Sequence, residues 1–484
     1  MSLIEDTTDT TQTSPEPVRG DYSAVAAMAL PIVVTTVSRT VMGFVDFWMV
    51  SKLGTDEQAA MTPALMVVFC FISVGMGIMA CVTTFASQAL GRNTFADAGA
   101  YTWQAIYVAS GVGLLGIGLW PFAPTVFGRF GHEPAVLELE IMYGRICLLS
   151  VAPSIASAGL ANFFVGVHKP SVAMYTAVGA NLFNALANYV LIFGGFGWVE
   201  PMGMAGAAWG TVLATLFRTM WLLLVFGSPR YARRFSTRRT WRLDWTKLVN
   251  LARVGMPASV QFGVDIIGWT LFMMWLVGQF GTAHLAATNI VWQYLHLSFM
   301  PALGVGMALN SLVGRSIGAG DIPTALRQVR VGARITISYM SGMGLLFFVF
   351  RTPLVRFFNP ESAEVVAIGA RLMICGALFQ TFDAMCITYG NSLRAAGDTL
   401  WPALMLAGSF WSVGLVGGYA LARFFPEWGS LGPWIGGTGY IIVYGLLLRR
   451  RWFSGRWREM DIFRDGVATS APVASSAGES VNAR

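Results

Sequence analysis

The sequence predicts an all-α integral membrane protein: twelve transmembrane helices in two six-helix lobes, related by pseudo-two-fold symmetry along the membrane normal. Composition, long apolar blocks and an internal repeat predict this. Of 484 residues, 55% are hydrophobic and 12% are charged, which is about half the charged fraction of a soluble domain. The apolar blocks are roughly 20 residues or longer, as bilayer-crossing helices require. Strands of a membrane barrel would alternate apolar and polar residues instead.

The apolar blocks also set the predicted boundaries. We predict a polar cytoplasmic segment (1–22), an N-terminal six-helix lobe (23–227), a basic cytoplasmic linker (228–247), a C-terminal six-helix lobe (248–450) and a largely disordered cytoplasmic tail (451–484). The first segment lacks the basic start and short apolar core of a cleaved signal peptide. We therefore expect the first transmembrane helix itself to direct insertion.

The two halves carry similar motifs in the same order. Four matches recur at offsets of 226 to 229 residues: MALPI with VGMPA, SKLGTDEQAA with GQFGTAHLAA, SQALGRN with GRSIGAG, and ANFFVGVHKP with GNSLRAAGDT. Halves that each contain an even number of spans share one orientation, so an axis along the membrane normal relates them. A substrate would bind in the cleft between such halves.

The basic residues predict the orientation. With the N-terminus in the cytoplasm, 23 of the 32 Lys and Arg residues fall in cytoplasmic segments and seven fall on the opposite side. This asymmetry follows the positive-inside rule and places both termini in the cytoplasm. It also accounts for the net charge of +7 without a nucleic-acid partner.

Three acidic residues lie deep within predicted spans: Asp46, Asp265 and Asp383. Charged side chains inside a membrane are costly and are usually functional, although some only pair with a neighbouring base. Arg39 lies two turns before Asp46 on the same helix face, so the two could pair. An unpaired buried carboxyl group would instead favour its neutral form and could exchange protons. The sequence leaves both alternatives open.

The fifth predicted span carries Asn181, Asn184 and Asn188, whose spacing of three and four places them on one helix face. Such amides often join membrane helices by hydrogen bonds. Carboxylate and amide oxygens together also suit a hard cation. Such a cation could be Na⁺. The cysteines and histidines show no metal-ligand spacing, and no Walker motif is present.

The chain resembles the multidrug and toxic compound extrusion (MATE) family, and its NorM-like branch in particular. The segments that carry the resemblance include MALPIVVTTVSRTVMGFVDFWMVSKLG, VHKPSVAMYTAVGANLFNALANYVLIFG, RVGMPASVQFGVD and FDAMCITYGNSLRAAGDT. The resemblance implies cation-coupled export of organic cations by alternating access. It assigns the first-helix acid to Asp46, the fifth-helix polar pair to Asn184 and Asn188, and the C-terminal acids to Asp265 and Asp383. It thereby implies a possible Na⁺ ion at Asp46, Asn184 and Asn188, or at Asp265 and Asp383. Phe379 stands where the branch often has Tyr.

We therefore predict an antiporter, not an enzyme, that exports cationic amphipathic drugs and needs no cofactor beyond Na⁺ or H⁺ as the coupling ion. The expected location is the bacterial inner membrane, as a monomer among membrane lipids. A flippase for lipid-linked oligosaccharide or another amphipathic metabolite remains the alternative. Only Arg39 and Arg218 lie within spans, however, to form the cationic cleft that an oligosaccharide flippase needs. A membrane-embedded enzyme lacks His/Asp or DDxxD clusters. A channel fits less well, since duplication and scattered acids favour a carrier.

Overall fold

The computed structural model describes residues 19–195 and 200–463. The polar residues 1–18 lie outside the described residues. The tail from residue 464 onward, for which we predict disorder, also lies outside them. The α-helices are α1 (Arg19–Val50), α2 (Thr55–Gly91), α3 (Phe95–Gly118), α4 (Ala123–Phe127), α5 (Pro134–Leu148), α6 (Val151–Gly166), α7 (Pro170–Phe193), α8 (Gly203–Phe226), α9 (Pro229–Phe235), α10 (Trp245–Leu271), α11 (Thr282–Gly318), α12 (Ile322–Val349), α13 (Arg351–Phe358), α14 (Ala363–Ala395), α15 (Leu400–Ser409), α16 (Gly418–Phe424) and α17 (Leu431–Phe453).

These helices form twelve spans within the described residues. Eleven segments are long and apolar enough to cross a membrane alone, and α5 with α6 forms the twelfth, bent by 44°. Two π-helical turns, Phe272–Val277 and Phe410–Gly417, continue α10 and join α15 to α16. The N-terminal lobe contains α1 to α8 and the C-terminal lobe contains α10 to α17. The predicted fold class is thus confirmed.

The repeat predicted from the sequence is visible in the helix boundaries. The helices α2 and α11 begin at Thr55 and Thr282, and α3 and α12 begin at Phe95 and Ile322. Both pairs are separated by 227 residues. The second and third spans of the two lobes therefore begin at equivalent positions of the repeat.

The lobes pack against each other through two equivalent helix pairs, α2 with α10 and α11 with α1. Gly77 of α2 lies against the backbone of Ser259, and Gly304 of α11 lies against Val33. A Cβ atom on either glycine would overlap the facing helix. Small residues permit this close approach of helix backbones in lipid. The same contact is therefore made twice, once on each side of the pseudo-two-fold axis.

Hydrogen bonds join the lobes near the end of the bundle where α2 and α11 finish, which we call the closed end. Thr84 Oγ1 donates to the Arg394 carbonyl (3.0 Å), and Ser311 Oγ donates to the Val165 carbonyl (2.6 Å). Gln88 Nε2 donates to the Ala395 carbonyl at 2.8 Å. The first and last described residues of the chain lie at this same end.

Residues 454–463, which we call the C-terminal strap, cross from the C-terminal lobe to the N-terminal lobe at the closed end. Trp457 stacks on Trp452 with ring centroids 4.3 Å apart. Asp461 Oδ1 accepts a hydrogen bond from Arg92 Nη2 at 2.8 Å. Phe463 packs edge-on against Phe85 and Tyr101, each at 5.7 Å. The first part of the predicted tail is therefore folded, in contrast to the disorder expected for most of it.

Candidate functional site

The acid of the N-terminal lobe is held by the asparagine face of α7. Asn188 Nδ2 donates to Asp46 Oδ1 at 2.6 Å, and Asn184 Nδ2 donates to Asn188 Oδ1 at 3.4 Å. Both asparagines are buried. Their spacing of one helical turn aligns the two amides in a chain that ends on the carboxylate. The structure therefore brings together three of the residues proposed from the sequence.

Helix α8 fixes the position of Asn188. Gly210 lies directly against the Asn188 side chain, so that a Cβ atom at position 210 would overlap Oδ1. On the other side, the buried residues Tyr143 and Cys147 of α5 lie close enough to Asp46 to interact with its charge. We call Asp46, Asn184 and Asn188 the N-lobe site. Sequence reasoning missed Gly210 and Tyr143, because a single glycine or tyrosine in an apolar helix carries no distinguishing pattern.

Asn181 does not belong to the N-lobe site. Its Nδ2 donates instead to Ser38 Oγ at 2.7 Å. Ser38 lies about two helical turns before Asp46 on α1. Arg39 forms no ion pair with Asp46 within the part of the chain that the structure describes. The nearby charge that acts on Arg218 of α8 is Arg39. The alternative in which Arg39 neutralises Asp46 is therefore not the observed arrangement.

The two acids of the C-terminal lobe come together between α10 and α14. Asp265 lies close enough to Asp383 to interact with it electrostatically. Asp383 is 9% exposed and Asp265 is half-buried. In residues 19–195 and 200–463, neither carboxyl group has a hydrogen-bond or ion-pair partner. We call this pair the C-lobe site.

Aromatic side chains surround Trp269, which lies one helical turn after Asp265. Its ring centroid is 4.3 Å from that of Trp292, 5.9 Å from Phe410, and 6.1 Å from both Phe379 and Tyr440. Phe379 in turn lies one turn before Asp383, so the candidate aromatic indeed borders the C-lobe site. The sequence did not identify Trp269, because its partners come from four different helices.

Polar groups on α10, α14 and α17 extend the C-lobe site. Gln261 Nε2 donates to the Tyr444 hydroxyl at 3.1 Å. Gln380, one turn before Asp383, donates to Ser298 Oγ, while its buried Oε1 has no hydrogen-bond partner. Among the described residues, no group of three or more His, Cys, Asp or Glu side chains could hold a metal ion. The site therefore presents paired carboxyl groups and ring faces.

This fold and these two sites define a two-lobed membrane carrier. Residues 31–190 and 266–420 match the family model described as MatE. The chain is 30% identical to a probable multidrug resistance protein NorM of Mesorhizobium japonicum over 90% of this chain and 94% of that protein. It is 26% identical to the multidrug resistance protein PmpM of Pseudomonas aeruginosa over 90% of this chain and 92% of that protein.

Solved structures show the same fold. A mutant form of the Vibrio cholerae MATE transporter VcmN superposes with a TM-score of 0.81 at 19% identity, covering 91% of this chain and 99% of that chain. A eukaryotic MATE transporter, AtDTX14, gives a TM-score of 0.76 at 19% identity over 91% of this chain and 97% of that chain. The chain belongs to the multidrug and toxic compound extrusion (MATE) family. It is therefore a multi-pass membrane transporter and not an enzyme.

Proposed function

We propose that this protein is a cation-coupled multidrug exporter, driven by Na⁺ or H⁺, that releases organic cations outward. One observation carries the proposal: the three acids Asp46, Asp265 and Asp383 lie within the membrane without a basic partner among the described residues. Acidic residues at this depth typically bind the transported ion or substrate. The names of the curated relatives, which refer to multidrug resistance, support the substrate class.

The C-lobe site suits an organic cation. A carboxylate attracts the positive charge, and the ring faces around Trp269 attract it further through cation–π contacts. The apolar rings also bind the rest of an amphipathic molecule with little demand on its shape. Binding a proton or Na⁺ at Asp265 or Asp383 removes the negative charge that holds the drug. Ion entry and drug release are thereby coupled at one place.

The N-lobe site suits a small cation. Asp46 offers carboxylate oxygens beside the amides of Asn184 and Asn188, and hard cations prefer such oxygen ligands. Asn188 uses its amide nitrogen to hold Asp46, and its oxygen accepts from Asn184. Binding of Na⁺ at Asp46 would draw the amide oxygens of Asn184 and Asn188 toward the ion and so change this chain of hydrogen bonds. Protonation of Asp46 would weaken the bond from Asn188 by removing the negative charge of the acceptor. The ion then binds one arrangement of α1 and α7 more tightly than the other. Alternating access requires such a difference in affinity between two states.

The packing of the lobes supports an outward-facing state. The hydrogen bonds that join the lobes in the described residues lie at the closed end, which also carries most Lys and Arg residues. The positive-inside rule places this end in the cytoplasm. Both termini are then cytoplasmic, and the opposite end faces away from the cytoplasm. We further propose that the protein acts in the bacterial inner membrane as a monomer.

Drug accumulation in cells tests the function. Ethidium, a lipophilic cation, is loaded into energised cells that lack their own exporters and that express the wild type, D265N or D383N. We expect the wild type to reduce ethidium accumulation and both variants to lose most of this effect. D97N is the matched control, because Asp97 pairs with Lys247 outside the sites (2.8 Å). Full export by both D265N and D383N would contradict the proposal.

A further inference from the structure

The linker between the lobes (228–247) is fixed to helix α3 through its own backbone. Trp103 Nε1 donates to the Thr237 carbonyl at 2.7 Å, and Gln104 Nε2 donates to the Arg242 carbonyl at 3.2 Å. These bonds hold the course of the linker without using its side chains. The side chains of the linker are therefore available to a partner, and they can be replaced without detaching the linker from α3.

The attachment lies where α3 enters the membrane. The Tyr107 hydroxyl donates to the Trp241 carbonyl. The next 20 residues, 108–127, carry no charged side chain, and about 20 such residues cross the hydrocarbon core of a bilayer. Tyr107 therefore lies at the boundary between the hydrocarbon core and the head groups, and it holds Trp241 at the same level.

Three large apolar side chains of the linker are uncovered near this level. Trp241 is 56% exposed, Leu243 is 48% exposed and Trp245 is 69% exposed. Tryptophan is enriched at the interface between a membrane and water, because its ring is apolar while its indole N–H stays hydrated. The linker thus presents to the bilayer the kind of surface that lies among lipid head groups.

The charge of the linker is strongly positive. Residues 228–247 contain six arginines and one lysine but a single acid, Asp244. Asp244 Oδ1 accepts hydrogen bonds from two backbone amides at the start of α10. Arg239 and Arg242, which flank Trp241 in the sequence, are exposed and form no ion pair within the part of the chain that the structure describes. Their charges are available to an anion.

A cavity of about 430 Å³ lies between the linker and α3. Its walls include Arg242, Trp245 and Lys247. Lys247 Nζ is paired with Asp97 Oδ1 at 2.8 Å, which leaves Arg242 as the cation of the cavity that no acid neutralises. A guanidinium group therefore stands beside an aromatic ring at the membrane boundary, where a lipid has its phosphate above its acyl chains.

We propose that the linker forms a binding site for the head group of an anionic phospholipid in the leaflet at the closed end. Arg239 and Arg242 bind the phosphate oxygens, for which a guanidinium group offers two parallel hydrogen bonds. Trp241 and Trp245 lie against the glycerol and the first part of the acyl chains. An anionic lipid is preferred because the linker has an excess of positive charge. The site is separate from drug export and requires no coupling ion.

Quenching of tryptophan fluorescence tests the site. The purified full-length protein is reconstituted into phosphatidylcholine bilayers with rising fractions of phosphatidylglycerol or phosphatidylcholine that carries bromine on the acyl chains near the glycerol. Bromine quenches only nearby rings. We expect brominated phosphatidylglycerol to quench the wild type more than brominated phosphatidylcholine does, and this excess to disappear in W241F/W245F. Equal quenching of the wild type by the two lipids would overturn the proposal.

A matched control locates the excess at the linker. W275F/W411F also removes two exposed rings (55% and 45%), but these rings lie away from the linker, in or beside the π-helical turns. This variant should retain the excess quenching by phosphatidylglycerol. An undiminished excess in W241F/W245F would show that the anionic lipid binds elsewhere.

Arginine variants assign the preference to the guanidinium groups. Each basic residue near a membrane surface contributes about fivefold in affinity for anionic lipid. R239Q/R242Q should therefore raise the fraction of phosphatidylglycerol needed for half of the excess quenching about tenfold or more. R239K/R242K keeps the charges and should retain most of the affinity. R449Q/R450Q removes two exposed charges at the same end and should behave as the wild type; an unchanged titration in R239Q/R242Q would contradict the proposal.

An acidic protein is the other partner that a basic segment attracts. Soluble polyglutamate is therefore added to the wild type in bilayers of phosphatidylcholine alone and in bilayers that contain brominated phosphatidylglycerol. For a lipid site, we expect polyglutamate to leave most of the excess quenching intact, because the rings at the membrane boundary hold the lipid. Complete loss of the excess on addition of polyglutamate would assign the arginines to a soluble acidic partner and overturn the lipid site.

Discussion

Thr84 and Ser311 donate equivalent hydrogen bonds in opposite directions across the boundary between the lobes. Thr84 reaches the Arg394 carbonyl at 3.0 Å, and Ser311 reaches the Val165 carbonyl at 2.6 Å. The two donors are 227 residues apart and the two acceptors 229 apart, as in the sequence repeat. The pseudo-two-fold axis thus relates individual hydrogen bonds at the closed end. Opening this end breaks matched contacts from both lobes together.

Enlarging a glycine at the closed end should open it. Gly91 lies against the Arg315 carbonyl, and Gly318 lies against the Gln88 carbonyl. Alanine stabilises a helix by about 1 kcal/mol relative to glycine. A loss of closure in G91A or G318A would therefore result from steric overlap and not from a weaker helix. We expect a cysteine introduced at the buried position Ser87 to react with a maleimide much faster in these variants. G111A is the control, because nothing lies within 4 Å of that Cβ position; equal rates would contradict the closure.

The N-lobe site should be sensitive to Gly210. In G210A the added methyl group displaces Asn188 Oδ1 and disturbs its bond to Asp46. We expect ion-driven drug export to fall about tenfold or more, on the scale of losing a hydrogen bond to a charged group, while the protein still reaches the membrane. Growth inhibition by ethidium and immunoblotting of membranes measure the two quantities. G342A, another open helical position, should export normally, and normal export by G210A would argue against a role for Asn188.

The C-terminal strap should stabilise the closed end. Phe463 contacts Phe85 and Tyr101, and the Arg92 guanidinium carbon lies 4.6 Å from the Phe463 ring centroid. F463A should lower the free energy of unfolding by about 1–3 kcal/mol through lost packing and cation–π attraction. It should also speed maleimide reaction at Ser87→Cys. F453A, at an exposed ring near the end of α17, is the control; an unchanged melting temperature in F463A would contradict a stabilising strap.

His168 should make the closed end sensitive to acid. It lies in the turn between α6 and α7 and contacts the Ser311 carbonyl at 3.3 Å. Burial, and then the charge of Arg315, lowers the pKa of His168 from 6.5 to about 4. The unfolded chain therefore takes up this proton first, so the contribution of His168 is complete above about pH 6.5 and is lost as the pH falls toward 4.

Melting temperatures between pH 7.5 and 4 measure this dependence. The loss is at most about 3 kcal/mol. In H168Q, which cannot titrate, the fall in melting temperature over this range should be smaller than in the wild type. H132Q controls for a histidine at the opposite end. Parallel curves for H168Q and the wild type would show that His168 does not carry the effect.

The sequence predicted the architecture well, because its physical causes are local. Long apolar blocks require helices in a bilayer, and the repeat requires two similar lobes. The spacing of Asn184 and Asn188 likewise predicted a shared helix face, and both join Asp46 in the structure. Each of these predictions needed only neighbouring residues or a constant offset.

The rest depends on packing between distant helices, which spacing does not encode. Arg39 shares a face with Asp46, yet it forms no ion pair with that acid among the described residues. It instead lies within range of the charge of Arg218 on α8. Trp269 is one of 17 tryptophans, and only the arrangement of four other helices makes it the centre of an aromatic cluster. The folded strap was also not predicted, since its contacts lie in the other lobe.

Transport into proteoliposomes with separately imposed gradients tests the central claim most directly. Purified wild type, D265N, D383N and D97N are reconstituted, and ethidium movement is followed under a Na⁺ gradient or a pH gradient alone. We predict that one of these gradients drives ethidium against its own gradient in the wild type and in D97N, and that D265N and D383N lose this driven component. Driven transport that persists in both D265N and D383N would contradict cation coupling through the paired acids. So would a wild-type protein in which neither gradient drives ethidium transport.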